Sequence, residues 1–184
     1  MAKPNKYDLK EVFKHKLQEY TSTFKETSYG GEQGKEKSLC EDDSVEVFDI
    51  DTYLKNNCEE YNIERSSLPA RPDAIYFHND GVKIYFVEFK SGNNIQSSEL
   101  KKKMTSGVKV FRQIIGVAID SKYKFIYCVV EENSMNEQKA RQFKNRKPKY
   151  NLEDINKNDC NGFYSEIVTK PIDFYKKNFK ELQC

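Results

Sequence analysis

Residues 71–90 of this 184-residue chain read RPDAIYFHNDGVKIYFVEFK, two runs of apolar and aromatic residues around a short polar break. The break contains Asp80-Gly81, and such a pair between two runs of this kind is a strong signal for a β-hairpin. We therefore predict two antiparallel strands joined by a turn at Asp80-Gly81. This hairpin is the best-specified element of the chain, and the other elements are placed relative to it.

The register of the hairpin brings two carboxylates face to face. A two-residue turn puts Asp73 opposite Glu88, and side-chain alternation puts Lys90 on the same face as Glu88. The inner pairs are apolar: Phe77 with Ile84 and Ile75 with Phe86. Like charges directly opposite each other destabilise a sheet. Their position at the end of an apolar face therefore indicates a cation between them.

The chain resembles the PD-(D/E)xK nuclease superfamily in the pattern Pro72-Asp73 followed by Glu88-Phe89-Lys90, with fifteen residues from Asp73 to Glu88. The resemblance covers about residues 44–130. It implies an α/β fold with a restriction-endonuclease-like core, in which helices flank a mixed β-sheet.

The resemblance also implies the roles of the site residues. Asp73, Glu88 and Lys90 would be catalytic. Asp73, Glu88 and the backbone carbonyl of Phe89 would bind Mg²⁺, with Mn²⁺ as a substitute, since hard cations prefer oxygen ligands. Lys90 would orient or help to deprotonate the attacking water, or stabilise charge on the phosphate.

A further acidic metal ligand is common in this superfamily and often comes from the first helix or a preceding segment. The candidates are Glu11, Glu19 and Glu26 in a predicted first helix, and Glu46 and Asp49 in a predicted first strand. Each is more often a solvated charge, and the sequence does not choose among them. We prefer Glu19, because it flanks the apolar stripe at Tyr20.

Periodicity and capping signals predict the remaining elements. A helix is predicted over 7–26, a loop over 27–43, a strand over 44–50, and a helix capped by Asp51 that ends near Tyr61. After the hairpin, Ser97 or Ser98 caps a helix with a single apolar stripe, and residues 122–130 form a buried strand. Further predictions are a polar helix over 134–146, a strand over 163–169 and a helix over 171–182. We treat residues 1–184 as a single domain with an α/β fold.

Two groups of basic residues are candidates for contacts to a nucleic-acid backbone. The first is an arc on the helix after the hairpin, formed by Lys101, Lys102, Lys109 and Arg112. The second is a stretch that contains Lys139, Arg141 and Lys144, interleaved with Phe143 and Tyr150, where aromatic rings suit unstacked bases. A solvated helix face and an exposed loop are the alternative interpretations.

Composition excludes several classes of protein. The chain is 33% charged with a mean hydropathy of −0.86, yet 13% is aromatic, which predicts an aromatic-rich core rather than disorder. It has five cysteines, no CxxC and two histidines, so a structural zinc site is not expected and the odd count favours free thiols in a reducing cytoplasm. There is no signal peptide and no membrane-spanning apolar run, so we expect a cytoplasmic protein without a membrane partner.

We therefore predict a metal-dependent nuclease that hydrolyses phosphodiester bonds, with DNA favoured over RNA as substrate. A DNA endonuclease of restriction, toxin or mobile-element type is the specific expectation, with a homodimer or an inhibitory protein as a further partner. Two alternatives keep the fold without the activity: an inactive nucleic-acid-binding module and a protein-interaction module. A third makes Asp73, Glu88 and Lys90 a salt-bridge cluster at a sheet edge, worth about 0–1 kcal/mol for each exposed pair.

Overall fold

The structure, a computed structural model, describes residues 8–30, 36–91, 96–132, 150–178 and 182. The strands are β1 (Thr21–Thr23), β2 (Tyr29–Gly30), β3 (Lys37–Ser38), β4 (Glu46–Phe48), β5 (Ala74–Phe77), β6 (Lys83–Lys90), β7 (Lys124–Glu131) and β8 (Glu166–Pro171). The helices are α1 (Leu9–Leu17), α2 (Phe24–Thr27), α3 (Ile50–Asn57), α4 (Ser97–Ile115), α5 (Leu152–Asp159) and α6 (Ile172–Asn178). The predicted α/β class is confirmed.

Within the described residues the main sheet has six strands in the order β1-β4-β5-β6-β7-β8. The pairs from β1 to β6 are antiparallel, whereas β6 pairs with β7, and β7 with β8, in parallel. The sheet is therefore mixed, as predicted, and β6 lies at its centre with partners of opposite direction on its two sides. Strands β2 and β3 form a separate two-stranded sheet inside the predicted loop.

The register of the β5–β6 hairpin is the one predicted for its inner pairs, whereas the ladder ends at Ala74 with Val87 and Asp73 lies just outside it. Phe77 pairs with Ile84 and Ile75 pairs with Phe86. Gly81 adopts a φ of 68°, a conformation that favours glycine. Asp80 Oδ1 accepts hydrogen bonds from the two amides that follow the turn, at 2.8 and 2.9 Å. The local chemistry of the turn thus sets which residues of β6 face which residues of β5.

Each face of the sheet has its own apolar cluster, and both clusters are rich in aromatic rings. On one face α1 and α4 cover the sheet, with Phe111 packed edge-on at 5.2 Å from Phe86. On the other face α2 and α6 contribute Phe24 and Tyr175. The Tyr175 hydroxyl lies within hydrogen-bonding distance of the carbonyls of Val129 and Val168, at 3.1 and 3.0 Å. The prediction of an aromatic core is confirmed.

The predicted helix over 7–26 is wrong in its second half. Helix α1 ends at Leu17, a 3₁₀ turn follows, and residues 21–23 join the edge of the sheet as β1. The reason lies in the sequence Thr21-Ser22-Thr23, whose hydroxyl side chains compete with helical hydrogen bonds. Thr23 then starts the short helix α2 through a reciprocal capping box with Glu26.

Two predicted helix caps are also corrected. Asp49, rather than Asp51, caps α3, with its Oδ1 accepting from the amide of Thr52 at 2.9 Å. Asp51 forms ion pairs with Lys55 and Arg71 instead. Helix α4 begins at Ser97 after Gln96, which makes no capping hydrogen bond through its side chain.

The C-terminal third differs most from the predictions. Helix α5 was not predicted; Asn156 anchors it to the next segment by exchanging two hydrogen bonds with the backbone of Tyr164. Strand β8 begins at Glu166, later than the predicted 163, and α6 is described from Ile172 to Asn178. The predicted helix over 134–146 lies outside the described residues.

Four cysteines, Cys40, Cys58, Cys128 and Cys160, are free thiols and all four are buried. Across the ranges that the structure describes, no helix is both long enough and apolar enough to cross a membrane.

Candidate metal centre

Asp73 lies immediately before β5, at the point where β6 continues past the start of its neighbour. Its amide donates to the carbonyl of Val87 at 3.0 Å, and its Oδ2 accepts from the amide of Phe89 at 2.7 Å. Backbone donors in a sheet require acceptors. One carboxylate oxygen of Asp73 therefore takes the place of a strand carbonyl that β5 is too short to supply.

The carbonyl of Phe89 points towards the same side. The carbonyl of Val87 points to β5, since it accepts from Asp73, and groups two residues apart on a strand point the same way. The carbonyl of the next residue, Lys90, points the opposite way, towards β7, and accepts a hydrogen bond from the amide of Glu132 at 2.9 Å. Phe89 thus presents its carbonyl next to the Asp73 carboxylate.

Glu88 is fully buried, with 0% of its surface exposed. Its Oε1 accepts hydrogen bonds from Lys103 Nζ at 2.6 Å and from Lys90 Nζ at 2.9 Å. Its Oε2 is buried and has no hydrogen-bond partner among the described residues. A buried charge that is only partly paired is costly, so this arrangement differs from an exposed salt-bridge cluster.

Lys103 on α4 completes the connection between the two carboxylates. Its Nζ lies 3.0 Å from Asp73 Oδ1 as well as 2.6 Å from Glu88 Oε1. Sequence reasoning missed this residue because it lies outside the basic arc of α4. The signal that could have found it is Gly107, one turn further along, since a glycine inside an amphipathic helix often marks a close approach. A Cβ at Gly107 would lie 3.1 Å from Pro72 Cδ.

Five charged residues form what we call the charge chain: Asp73, Lys103, Glu88, Lys90 and Glu99. Lys90 Nζ contacts Glu99 Oε1 on the first turn of α4 at 2.5 Å, so signs alternate along the chain. Three carboxylates and two ammonium groups would carry a net charge of −1 if all were ionised. The structure thus brings together the three residues predicted from the motif and adds two from α4.

The pKa values of the two carboxyl groups, Glu88 and Asp73, are both raised. Burial and then the charge of Asp73 raise the pKa of Glu88, the two lysines lower it, and the net pKa is about 8. Burial also raises the pKa of Asp73, against Lys103 and the amide of Phe89. Both carboxyl groups therefore sit where positive charge beyond that of the two lysines would stabilise the ionised forms.

The pKa values of the two lysines are also raised, but by neighbouring carboxylates rather than by burial. Burial lowers the pKa of Lys90, but Glu88 and Glu99 more than offset this, and the net pKa lies above its ordinary value. The pKa of Lys103 is also raised, because Asp73 and Glu88 outweigh its burial. Both side chains are therefore ammonium ions at neutral pH, able to donate hydrogen bonds but not to accept a proton.

The donor set fits a hard divalent cation. Asp73, Glu88 and the Phe89 carbonyl are oxygen ligands, and Glu88 Oε2 has no partner among the described residues. In the described ranges no group of three or more His, Cys, Asp or Glu side chains is placed so that it could hold a metal ion, so the side-chain ligands of this site would be two. Mg²⁺ commonly binds through one or two carboxylates and keeps waters or takes substrate phosphates for the rest of its shell.

Glu19, the preferred additional ligand, lies exposed on the 3₁₀ turn after α1. Among the described residues no hydrogen bond or ion pair joins it to Asp73 or Glu88. Glu26 and Asp49 are engaged in capping α2 and α3. Glu11 and Glu46 are exposed, and none of the five candidates for an additional ligand is among the residues of the charge chain.

The basic arc of α4 divides into two parts. Lys101 Nζ lies 2.9 Å from Asp159 on α5, and the guanidinium of Arg112 lies 5.4 Å from the centre of the Phe163 ring. These two side chains thus contact the C-terminal segment. Lys102 and Lys109 are exposed.

The second basic group, Lys139, Arg141 and Lys144, lies outside the described residues. Tyr150, at the end of that stretch, is 4% exposed, and its hydroxyl donates to Glu131 Oε1 at 2.6 Å. It is a core residue rather than an exposed ring available for stacking on a base.

No family model, no curated protein and no solved structure matches this chain.

Proposed function

We propose that this protein is a metal-dependent nuclease with a restriction-endonuclease-like core, acting on DNA. The observation on which the proposal rests is the pair Asp73 and Glu88, which hold one cationic atom, Lys103 Nζ, between them at 3.0 and 2.6 Å. Mg²⁺ is usually bound through one or two carboxylates, so two acidic groups that already share one cation are chemically suited to hold it.

Asp73, Glu88 and the carbonyl of Phe89 would hold the metal ion. When bound, Mg²⁺ supplies Lewis-acid polarisation of the phosphate and favours ionisation of the attacking water. The amide of Phe89 fixes the rotamer of Asp73 through its 2.7 Å hydrogen bond to Oδ2, which leaves Oδ1 for the cation. The backbone of β6 thus orients the ligand that comes from outside it.

Lys90 would act on the phosphate as a charged donor. Its side chain is 13% exposed, so it reaches from Glu88 towards the surface. Its raised pKa keeps it protonated, which suits stabilisation of developing negative charge and orientation of the water rather than proton abstraction. Glu99 holds the ammonium group at 2.5 Å and so restricts where it points.

The test combines substrate choice with isosteric variants. Purified protein is incubated with circular, linear and single-stranded DNA and with RNA, with and without Mg²⁺. We expect Mg²⁺-dependent loss of circular plasmid, abolished in Asp73→Asn and Glu88→Gln at retained helix content and cooperative melting. Glu153→Gln, which makes the same change at an exposed site on α5, is the matched control and should cleave normally. Full cleavage by both site variants would refute the assignment.

A second candidate, an inactive nucleic-acid-binding module, is favoured by one observation. Lys103 already places positive charge between the carboxylates, so the site is partly neutralised without a metal. This alternative predicts nucleic-acid binding with no hydrolysis in either Mg²⁺ or Mn²⁺. The same incubation, followed by a gel-shift assay, separates the two.

A further inference from the structure

Lys103 Nζ lies between the two carboxylates that are the proposed ligands of the metal ion. Its Nζ contacts Asp73 Oδ1 and Glu88 Oε1, one oxygen from each carboxylate. We propose that Lys103 is a built-in counter-ion of the metal-free site and that it leaves this position when the metal binds. The inference rests on the proposed function and extends it, since it assigns two positions to one side chain.

The two cations exclude each other for reasons of distance and charge. A Mg²⁺ ion that contacted the same two oxygens would lie about 2.0–2.1 Å from each. The ammonium group now donates to those oxygens at 3.0 and 2.6 Å, so ion and ammonium would overlap. Repulsion between their charges at short range adds to the steric conflict.

The movement can be confined to the side chain. Helix α4 is held against the hairpin at Gly107 and Pro72, and its apolar residues around Lys103, Leu100 and Met104, are fully buried. The lysine side chain has four rotatable carbons and is 19% exposed, so a route from the site to solvent is open. A displaced Lys103 would meet an incoming phosphate at the mouth of the site.

Lys90 provides the contrast within the same site. It contacts Glu88 Oε1 at 2.9 Å, as Lys103 does, but its second partner is Glu99 rather than Asp73. It therefore does not stand between the two proposed ligands and has no need to move. Removing either lysine takes one ion pair from Glu88, but only removal of Lys103 also takes the ion pair from Asp73.

This contrast defines the experiment. Mg²⁺ and Mn²⁺ affinities are measured by calorimetry for the wild-type protein and for Lys103→Met, Lys90→Met and Lys102→Met, together with metal-free melting temperatures. Lys103→Met should bind metal about tenfold more tightly or better, which corresponds to ~1.4 kcal/mol, and should melt at a lower temperature without metal. Lys90→Met should gain clearly less, and Lys102→Met, an exposed lysine on the same helix, should match the wild type.

A second measurement uses the wild-type protein and so does not depend on the folding of a variant. Amine-reactive labelling, read for each lysine by mass spectrometry, should modify Lys103 slowly without metal and faster with saturating Mg²⁺. Labelling of Lys90 should change little. Slower or unchanged labelling of Lys103 in Mg²⁺ would overturn the proposal.

The calorimetric outcomes separate two kinds of failure. Equal gains in Lys103→Met and Lys90→Met would show a general charge effect and overturn the displacement of Lys103 while leaving the metal site intact. An unchanged or weaker affinity in folded Lys103→Met would do the same. Absence of Mg²⁺ and Mn²⁺ binding in all four proteins would refute the proposed nuclease function together with this inference.

Discussion

Gly107 lies directly over Pro72, so closely that a Cβ on the glycine would approach Pro72 Cδ to 3.1 Å. The contact sets the height of α4 above the residue that precedes Asp73. Lys103, one turn earlier on the helix, reaches the carboxylates because the helix sits this low. A mid-helix glycine, normally a cost of roughly 0.5–1 kcal/mol relative to alanine, is here a requirement of the site.

Gly107→Ala should therefore destabilise the protein, although the same change in an unobstructed helix would stabilise it. We expect a loss of about 1–2 kcal/mol in the free energy of unfolding, typical of adding a methyl group to a packed contact. Gln113→Ala, on the exposed side of α4, should change stability by no more than about 0.5 kcal/mol. Chemical denaturation of both variants measures the difference, and a more stable Gly107→Ala protein would contradict the close contact.

Metal binding should stabilise the folded protein, because the ligands are assembled only when β5, β6 and their connections are in place. At a Mg²⁺ concentration of about 100 times Kd the gain is ~2.7 kcal/mol. Thermal melting with and without Mg²⁺ reads this gain as a shift in Tm. Asp73→Asn, which removes the charge of a proposed ligand, should lose most of the shift, whereas Glu153→Gln, at an exposed site on α5, should keep it.

Glu88 should make the stability of the metal-free protein depend on pH. Its pKa in the folded protein, about 8, lies above its ordinary value of 4.5. Between these two values the folded state holds a proton that the unfolded state has released, so Glu88 reduces stability as pH rises through this window. The loss can reach several kcal/mol, since about 1.4 kcal/mol accompanies each tenfold change in proton affinity.

Urea denaturation at pH 5 and at pH 8 measures this effect. As pH rises from 5 to 8, the free energy of unfolding of the wild type should fall relative to that of Glu88→Gln. A difference that stays constant between pH 5 and pH 8 would show that Lys90 and Lys103 keep Glu88 ionised throughout.

Removal of the Tyr127 hydroxyl should not destabilise the fold. The hydroxyl is buried and has no hydrogen-bond partner among the described residues, and burial together with the charge of Glu88 raises its pKa. Tyr127→Phe should be neutral or stabilise the fold by up to about 1 kcal/mol, because no bond is lost. Tyr164→Phe is the matched change, since the Tyr164 hydroxyl donates to the carbonyl of Met104 at 3.1 Å, and should cost about 1 kcal/mol. Equal losses in the two variants would indicate that Tyr127 has a bonded partner.

Local rules were sufficient for the central hairpin and for the stripe of α4. Alternation and the Asp80-Gly81 turn determine the β5–β6 register within a short stretch of chain, so no tertiary information was needed. The same rules predicted that Asp73, next to β5, would lie close to Glu88 and Lys90 on β6. They failed where a segment has no strong period, as in α5, and where hydroxyl residues interrupt a helical pattern, as at Thr21.

The part that Lys103 plays in the site could not be predicted from the sequence. Whether a lysine beside an apolar stripe turns to solvent or to a buried carboxylate depends on how one element packs over another. That packing is set by a contact between Gly107 and Pro72, residues 35 positions apart in the chain. The contacts of Lys101 with Asp159 and of Arg112 with Phe163 likewise depend on packing between distant segments, and the role predicted for the basic arc stays a prediction.

The two carboxylate oxygens of Asp73 accept hydrogen bonds from different partners, and this determines which substitutions position 73 should tolerate. Oδ2 accepts a hydrogen bond from the backbone of β6 and Oδ1 accepts one from Lys103, so folding and the proposed nuclease chemistry would place separate demands on one side chain. In a library of all twenty residues at this position, selection for folding alone should enrich both Asp and Asn, because an amide oxygen can still accept from Phe89. Glu should be depleted in either selection, since its added methylene displaces the oxygen from that amide. Selection for activity should retain Asp alone, and the difference between the two spectra would separate what the residue does for the architecture from what it does for catalysis.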